Sequence, residues 1–204
     1  MTCTDLTLRM LETARSRAKY LSLDVMTFAA ANMSALRFPN DVFDCLTCRF
    51  GIMFPKNKVD AALEANRVLK PGGRIAYLVW GPYAQNPPFY VPRRTVAAYF
   101  GEEEGPEPAR HTMSNPGALS KILNKAGYVE TVERELHYKN PITDLDAYVT
   151  NGLRRSFADK IEGKSQIEID RLKHALYSAW EPFKQEGVVQ APNYARLGLG
   201  RKAS

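Results

Sequence analysis

Val59-Asp60-Ala61-Ala62-Leu63-Glu64-Ala65-Asn66-Arg67-Val68-Leu69, then Lys70-Pro71-Gly72-Gly73, then Arg74-Ile75-Ala76-Tyr77-Leu78-Val79-Trp80, is the stretch that decides the fold. In its first part Val59, Ala62, Leu63, Ala65, Val68 and Leu69 form one apolar stripe at helical spacing, which predicts a helix from Val59 to Leu69. Pro71 cannot extend a helical ladder and the two glycines supply a reversal, so the helix is expected to stop there. Arg74 to Trp80 is continuously apolar, as in a strand covered on both faces. Upstream, Asp41 precedes Val42 to Cys48, which reads as a second buried strand. Strand, helix, turn and strand make a βαβ unit with a right-handed crossover, so the class is α/β.

The rest of the chain fits around that unit. Thr7 to Lys19 carries Leu8, Leu11, Ala14 and Ala18 at helical spacing, with Thr7 placed as N-cap. Leu21 to Phe28 is a strand candidate. Pro82 to Pro92 reads as an irregular loop, Arg93 to Phe100 as a short helix, and Gly101 to Met113 as an acidic, mobile stretch. Ser114 or Asn115 is expected to cap a helix from Pro116 to Lys125, with proline at its first position. Tyr128 to Tyr138 is a strand, Leu145 to Phe157 and Ile167 to Lys184 are helices, and Tyr194 to Gly200 is a short final strand. A single domain over 1–204 is expected, with 141–187 as a helical insertion.

Composition narrows the function classes. Of 204 residues, 45% are hydrophobic and 25% charged, ordinary for a chain that buries a core without disulfides. The net charge of +6 is spread along the sequence, with no arginine-rich arm or zinc-finger spacing, so nucleic acid is not an expected partner. Cys3, Cys45 and Cys48 leave an odd count and point to a reducing compartment. Residues three apart on a strand face opposite ways, so Cys45 and Cys48 could not share a metal there, and no metal site is expected. No apolar run reaches membrane-spanning length and the first residues are polar, which predicts a cytoplasmic protein.

Several short words in the sequence carry a resemblance. Arg67-Val68-Leu69-Lys70-Pro71-Gly72-Gly73-Arg74 before an apolar strand is the most specific. Asp5-Leu6-Thr7-x-x-Met10-Leu11, Ala31-Asn32-Met33-Ser34-Ala35-Leu36-x-Phe38, Phe43 to Gly51, Asn86-Pro87-Pro88-Phe89 and Ala126-Gly127-Tyr128 join it. Together they resemble a class I S-adenosylmethionine-dependent methyltransferase, in the subgroup that contains the quinone-biosynthesis and small-molecule enzymes. The resemblance implies a Rossmann-like sheet with flanking helices, the insertion forming a lid. It implies S-adenosylmethionine as cofactor, with Asp5 on the ribose hydroxyls and Leu6, Met10, Asn32, Met33 and Arg49 around it. It implies a small-molecule methyl acceptor near Phe50, Tyr83, Asn86 and Phe89, at or after the ends of parallel strands, where open α/β sheets bind ligands. His111 and His137 are candidate general bases, because a hydroxyl or carbon acid must lose a proton.

The sequence departs from that family in three places. Asn32 stands where the family has aspartate, and Ala31 where it has glycine. The family's first strand and its Gly-x-Gly-x-Gly loop would precede Asp5, where only Met1 to Thr4 stand. The chain is therefore expected to be truncated, lacking the first strand and most of the second, and to bind cofactor weakly. The family's strand order, third, second, first, fourth, fifth, seventh, sixth, would then be cut in the middle. Val42 to Cys48 would become an edge, and Leu21 to Phe28 would slide to pair with it or with a second copy, giving a homo-oligomer. The alternative function is a non-catalytic remnant serving interaction or structure. A dinucleotide dehydrogenase is disfavoured by the absence of Gly-x-Gly-x-x-Gly.

Overall fold

The computed structural model describes residues 1–204. It divides into two compact units: Met1–Leu78 with Pro116–Arg134 and Leu197–Ser204, and Val79–Asn115 with Glu135–Arg196.

The first unit opens with β1 (Thr2–Asp5), α1 (Leu8–Tyr20) and β2 (Thr27–Ala30). β1 and β2 pair in parallel as a two-stranded sheet, Thr2 opposite Thr27 and Asp5 opposite Ala30. Thr7 stands at the N-cap of α1, but its side chain makes no cap bond. Asp5 does the turning instead, its Oδ1 accepting from the Thr7 N–H at 2.7 Å.

β3 (Phe43–Arg49), α2 (Lys58–Val68) and β4 (Leu69–Trp80) are the predicted βαβ unit, and β3 and β4 are parallel. Asn57 caps α2, its Oδ1 accepting from Val59 N–H at 3.1 Å and Asp60 N–H at 3.3 Å. The glycine-proline segment lies inside β4 rather than before it. Leu69 already pairs with Phe43, the next pair is Cys45 with Arg74, and 70–73 bulge out between them. Gly72 takes φ +74°, and a Cβ on Gly73 would meet the Lys70 carbonyl oxygen at 2.8 Å, so both glycines are required.

α4 (Ala118–Lys125) packs on α2, with Leu119, Leu123, Ala62, Ala65 and Val68 buried. It starts two residues later than the sequence suggested. Gly117, at φ +79°, takes the N-cap, and neither Ser114 nor Asn115 does. The missing cap oxygen comes from Glu133, which accepts from Gly117 N–H at 3.1 Å and Ser120 N–H at 3.2 Å.

In the second unit, α3 (Pro87–Tyr99) replaces most of the expected Pro82–Pro92 loop. Prolines in a first turn forfeit no helical hydrogen bond, so Pro87 and Pro88 start this helix instead of preventing it. The 101–113 stretch is anchored rather than loose. Glu104 accepts from Arg94 at 3.0 Å, Glu102 from Lys160 at 2.6 Å, and His111 and Met113 are buried. α5 (Leu145–Ser156), α6 (Ala158–Ile161) and α7 (Gln166–Trp180) follow, α3 and α5 both packing on α7. Val91, Val96, Val149, Leu153, Leu172, Leu176 and Trp180 form this unit's core.

The larger sheet runs β3-β4-β7-β5, with β5 at Tyr128–Ile142 and β7 at Val188–Lys202, and the two-residue β6 (Lys184–Gln185) pairing antiparallel with β7. The final strand is thus twice the expected Tyr194–Gly200. The expected sliding of Leu21–Phe28 does not occur: its strand part begins at Thr27 and stays on β1. The sheet is nevertheless cut, since β1 and β2 do not join β3. A groove of about 540 Å³ lined by Thr2, Thr4, Leu36, Phe38, Phe43 and Leu46 runs along the bare edge of β3. That opening leaves Asp44, Cys45 and Thr47 exposed, so β3 is not the buried strand its composition suggested.

Candidate functional site

In the first unit the candidate residues collect at the carboxyl ends of parallel strands. Asp5 ends β1 directly opposite Ala30, and the next residue, Ala31, donates its N–H to the Asp5 carbonyl at 3.1 Å. Asn32 therefore stands two residues beyond the strand end that Asp5 pairs with. Asp5 Oδ1 is held by Thr7, while Oδ2 has no hydrogen bond or ion pair. Leu6 and Met10, 74% and 55% exposed, flank it with apolar surface open to solvent. Asn32 Oδ1 accepts from Ser34 N–H at 3.0 Å, closing an Asx-turn, so one of its lone pairs is committed to the backbone.

Met33 reaches the end of β3. Its Cε lies 3.4 Å from where a Cβ on Gly51 would stand, and Cys48 Sγ lies 2.7 Å from the same point. Burial pushes the Cys48 thiol above its ordinary pKa. Phe50 takes φ +56°, an uncommon conformation for an aromatic residue, with its N–H bonded to Leu78 O at 2.8 Å. The Arg49 guanidinium covers the Phe50 ring at 5.3 Å. Asp5, Leu6, Met10, Asn32 and Met33 thus line the ends of β1 and β2, and Arg49 and Phe50 stand at the end of β3.

In the second unit the candidates differ in what they leave free. Asn86 is fully buried, its Nδ2 donating to Pro82 O at 3.0 Å and its Oδ1 accepting from Tyr194 N–H at 2.9 Å. Its role there is to tie α3 to β7. The Tyr83 hydroxyl is bonded to Glu104 and accepts from Arg93 at 3.3 Å, and burial followed by Glu104 pushes its pKa up to about 12. Phe89 packs edge-on against Trp80 and against His111.

His111 is 2% exposed, and its Nδ1 lies 2.8 Å from the Gly81 carbonyl oxygen. A carbonyl only accepts, so Nδ1 carries the proton and Nε2 is left a lone pair, buried and without a partner. Burial holds its pKa below the ordinary histidine value, against opposing pulls from the bond to the Gly81 carbonyl and then from Glu107. His137 is mostly exposed, stacked on Tyr194 with centroids 4.2 Å apart and 3.5 Å from Glu135.

Comparison with known proteins identifies the frame. Residues 1–77 match the family described as methyltransferase domain. Over 75 residues the chain is 39% identical to the ubiquinone/menaquinone biosynthesis C-methyltransferase of Pectobacterium carotovorum, covering 36% of this chain and 30% of that one. Over 148 residues it is 29% identical to the demethylmenaquinone methyltransferase of Streptomyces griseus, 65% of this chain and 60% of that one. These matches span less than two thirds of either relative's length. The YcgJ protein of Bacillus subtilis superposes with TM-score 0.58 at 20% identity, over 100% of this chain and 82% of that one. A putative methyltransferase from Bacillus halodurans gives 0.56 at 18%, over 100% and 83%.

The fold is the Rossmann-like one of these solved structures, and the methyltransferase-domain match lies in its first 77 residues. Within this fold, sequence reasoning missed three residues that shape the site. Gly51 lets Met33 and Cys48 converge after β3. Gly81 sets the tautomer of His111. Arg67 holds the 36–40 segment, donating to Leu36 O and Phe38 O at 2.8 Å each and to Asn40 Oδ1 at 2.7 Å while paired with Glu64. Arg67 was visible as part of the Arg-Val-Leu-Lys-Pro-Gly-Gly word, but its partners lie about thirty residues upstream. The fold holds no cluster of three His, Cys, Asp or Glu able to bind a metal, and no helix long and apolar enough to cross a membrane.

Proposed function

We propose that this chain serves S-adenosylmethionine-dependent methyl transfer to a small molecule, its first unit holding the adenosine end of the cofactor. The observation that carries the reading is Asp5: a carboxylate at the paired ends of β1 and β2, with one oxygen unpartnered beside exposed Leu6 and Met10. An acceptor pair for ribose hydroxyls next to bare apolar surface fits a nucleoside. Asn32 and Met33 lie at the neighbouring strand end. Residues 1–204 contain no Gly-x-Gly-x-Gly loop, so the groups identified here address the adenosine end and not the methionine end.

S-adenosylmethionine, when bound, supplies an electrophilic sulfonium methyl. The chain's own contribution is positioning and proton handling. His111 is the proposed base: its Nε2 lone pair is buried, and its depressed pKa keeps it neutral at pH 7. The relatives named above make quinone-ring methylation the acceptor chemistry to test first.

Titration calorimetry with S-adenosylhomocysteine tests the site. Binding is expected in the millimolar range, near −4 kcal/mol, and should disappear in Asp5→Asn, which keeps the bond to Thr7 but loses the charge. Unchanged affinity in Asp5→Asn would sink the assignment. A second reading, an interaction module, is favoured by the bare edge of β3, which offers backbone groups to another chain.

A further inference from the structure

The second unit contains a solvent-open cavity of about 640 Å³ between α3, α5, α7 and the 108–110 segment. This is the size range of small-molecule sites. Its lining is mainly apolar, with the half-buried Phe89, Tyr148 and Phe157 backed by the fully buried Leu176 and Trp180. Three arginines line it, and no aspartate or glutamate does. Arg93 is engaged, donating to the Glu104 and Pro106 carbonyls at 2.8 and 3.1 Å. Arg110 and Arg155 make no ion pair or hydrogen bond; Arg110 only rests over the Phe89 ring at 5.0 Å. A largely apolar open cavity with two solvent-exposed guanidinium groups at its rim is charge-complementary to an anion with an apolar body.

Gly152 supplies an independent sign that the space is kept open. It lies inside α5 and lines the cavity, and a Cβ built on it meets nothing within 4 Å. Its backbone is not left-handed, so neither conformation nor close packing demands glycine here. A glycine in a helix interior costs roughly 0.5–1 kcal/mol relative to alanine, and what it leaves in return is room.

We infer that the second unit binds an amphipathic monoanion, its apolar body against Phe89, Tyr148 and Phe157 and its carboxylate-type head on Arg110 and Arg155. The site is defined by this unit alone and does not depend on methyl transfer. The test uses the full chain without S-adenosylmethionine, with decanoate and uncharged decanol as probes, followed by calorimetry and tryptophan fluorescence. Saturable one-to-one decanoate binding is expected. Arg110→Ala/Arg155→Ala should weaken decanoate at least tenfold and decanol less than twofold. Gly152→Phe should abolish both without lowering Tm, and should it fold poorly, Gly152→Leu serves the same end. No saturable decanoate binding, equal decanoate affinity in the arginine double variant, or unchanged binding in a folded Gly152→Phe or Gly152→Leu protein would each overturn the proposal.

Discussion

Gly51→Ala is a test whose sign is informative. The Gly51 backbone is not in the left-handed region, so an alanine meets no conformational strain there. Were the space free, alanine would stabilise the protein by about 0.4–1 kcal/mol through the unfolded chain. It is not free: the new Cβ would stand 2.7 Å from Cys48 Sγ and 3.4 Å from Met33 Cε. Carbon atoms pack best at about 3.5–4.0 Å and sulfur is larger, so the overlap with Cys48 is on the order of 1 Å. Relieving it moves a half-buried thiol or the end of β3, at about 1–3 kcal/mol. The net expectation is a loss of about 1–2 kcal/mol, or roughly 2–8 °C in Tm for a chain of this size. Thermal melts of wild type, Gly51→Ala, Cys48→Ala and the double variant form a cycle. Removing Sγ first should recover most of the loss, a coupling of about 1 kcal/mol. A Tm that rises in Gly51→Ala, or two additive losses, would show that Met33, Cys48 and Gly51 do not converge as described.

His111 should make stability depend on pH. Its folded pKa lies below its unfolded value, so the unfolded chain takes the proton more readily and stability falls as pH drops below about 6.5. Urea midpoints from pH 7.5 to 5 should fall more steeply in wild type than in His111→Asn; parallel profiles would contradict the buried neutral imidazole. Glu133→Ala should cost about 0.5–2 kcal/mol, since both carboxylate oxygens cap α4, and an unchanged denaturation midpoint would refute that. Sedimentation should show concentration-dependent association through β3 that Cys45→Lys suppresses; a wild-type monomer at high concentration would count against an adhesive edge.

What the sequence disclosed followed from periodicity. α2, α5 and α7 each carry a clear apolar stripe, and β3 and β4 are short apolar runs with marked ends, so their positions were legible within a few residues. The misreadings share a cause: punctuation residues acting differently in context. Pro87 and Pro88 open a helix, Pro71-Gly72-Gly73 bulge inside a strand, and Pro192 sits within β7 without breaking it. In the site, Asp5, Met10, Asn32 and Met33 were expected only through the family resemblance of short local words; β1, which puts Asp5 beside the end of β2, was not legible in four polar-flanked residues. The commitments of Asn86 and His111 could not be gathered from local words, because their partners, Tyr194 and Gly81, lie 108 and 30 residues away.

The interrupted sheet also bears on the order in which the chain assembles. Thr2 and Thr27 are 25 residues apart, so β1, α1 and β2 close over a short loop. Leu69 and Lys202, joined by the Lys202 Nζ donating to the Leu69 carbonyl, are separated by 133 residues, and that contact closes a far longer loop. Within residues 1–30, Leu8, Met10, Tyr20 and Val25 are exposed even in the complete fold. A piece of that size is below the length at which a chain without disulfides usually holds a core. It gains its anchorage from Arg67 and Gly51, which receive the 33–40 segment. The β1–α1–β2 piece therefore depends on α2 for its hold on the rest of the first unit, while those four side chains stay open to solvent.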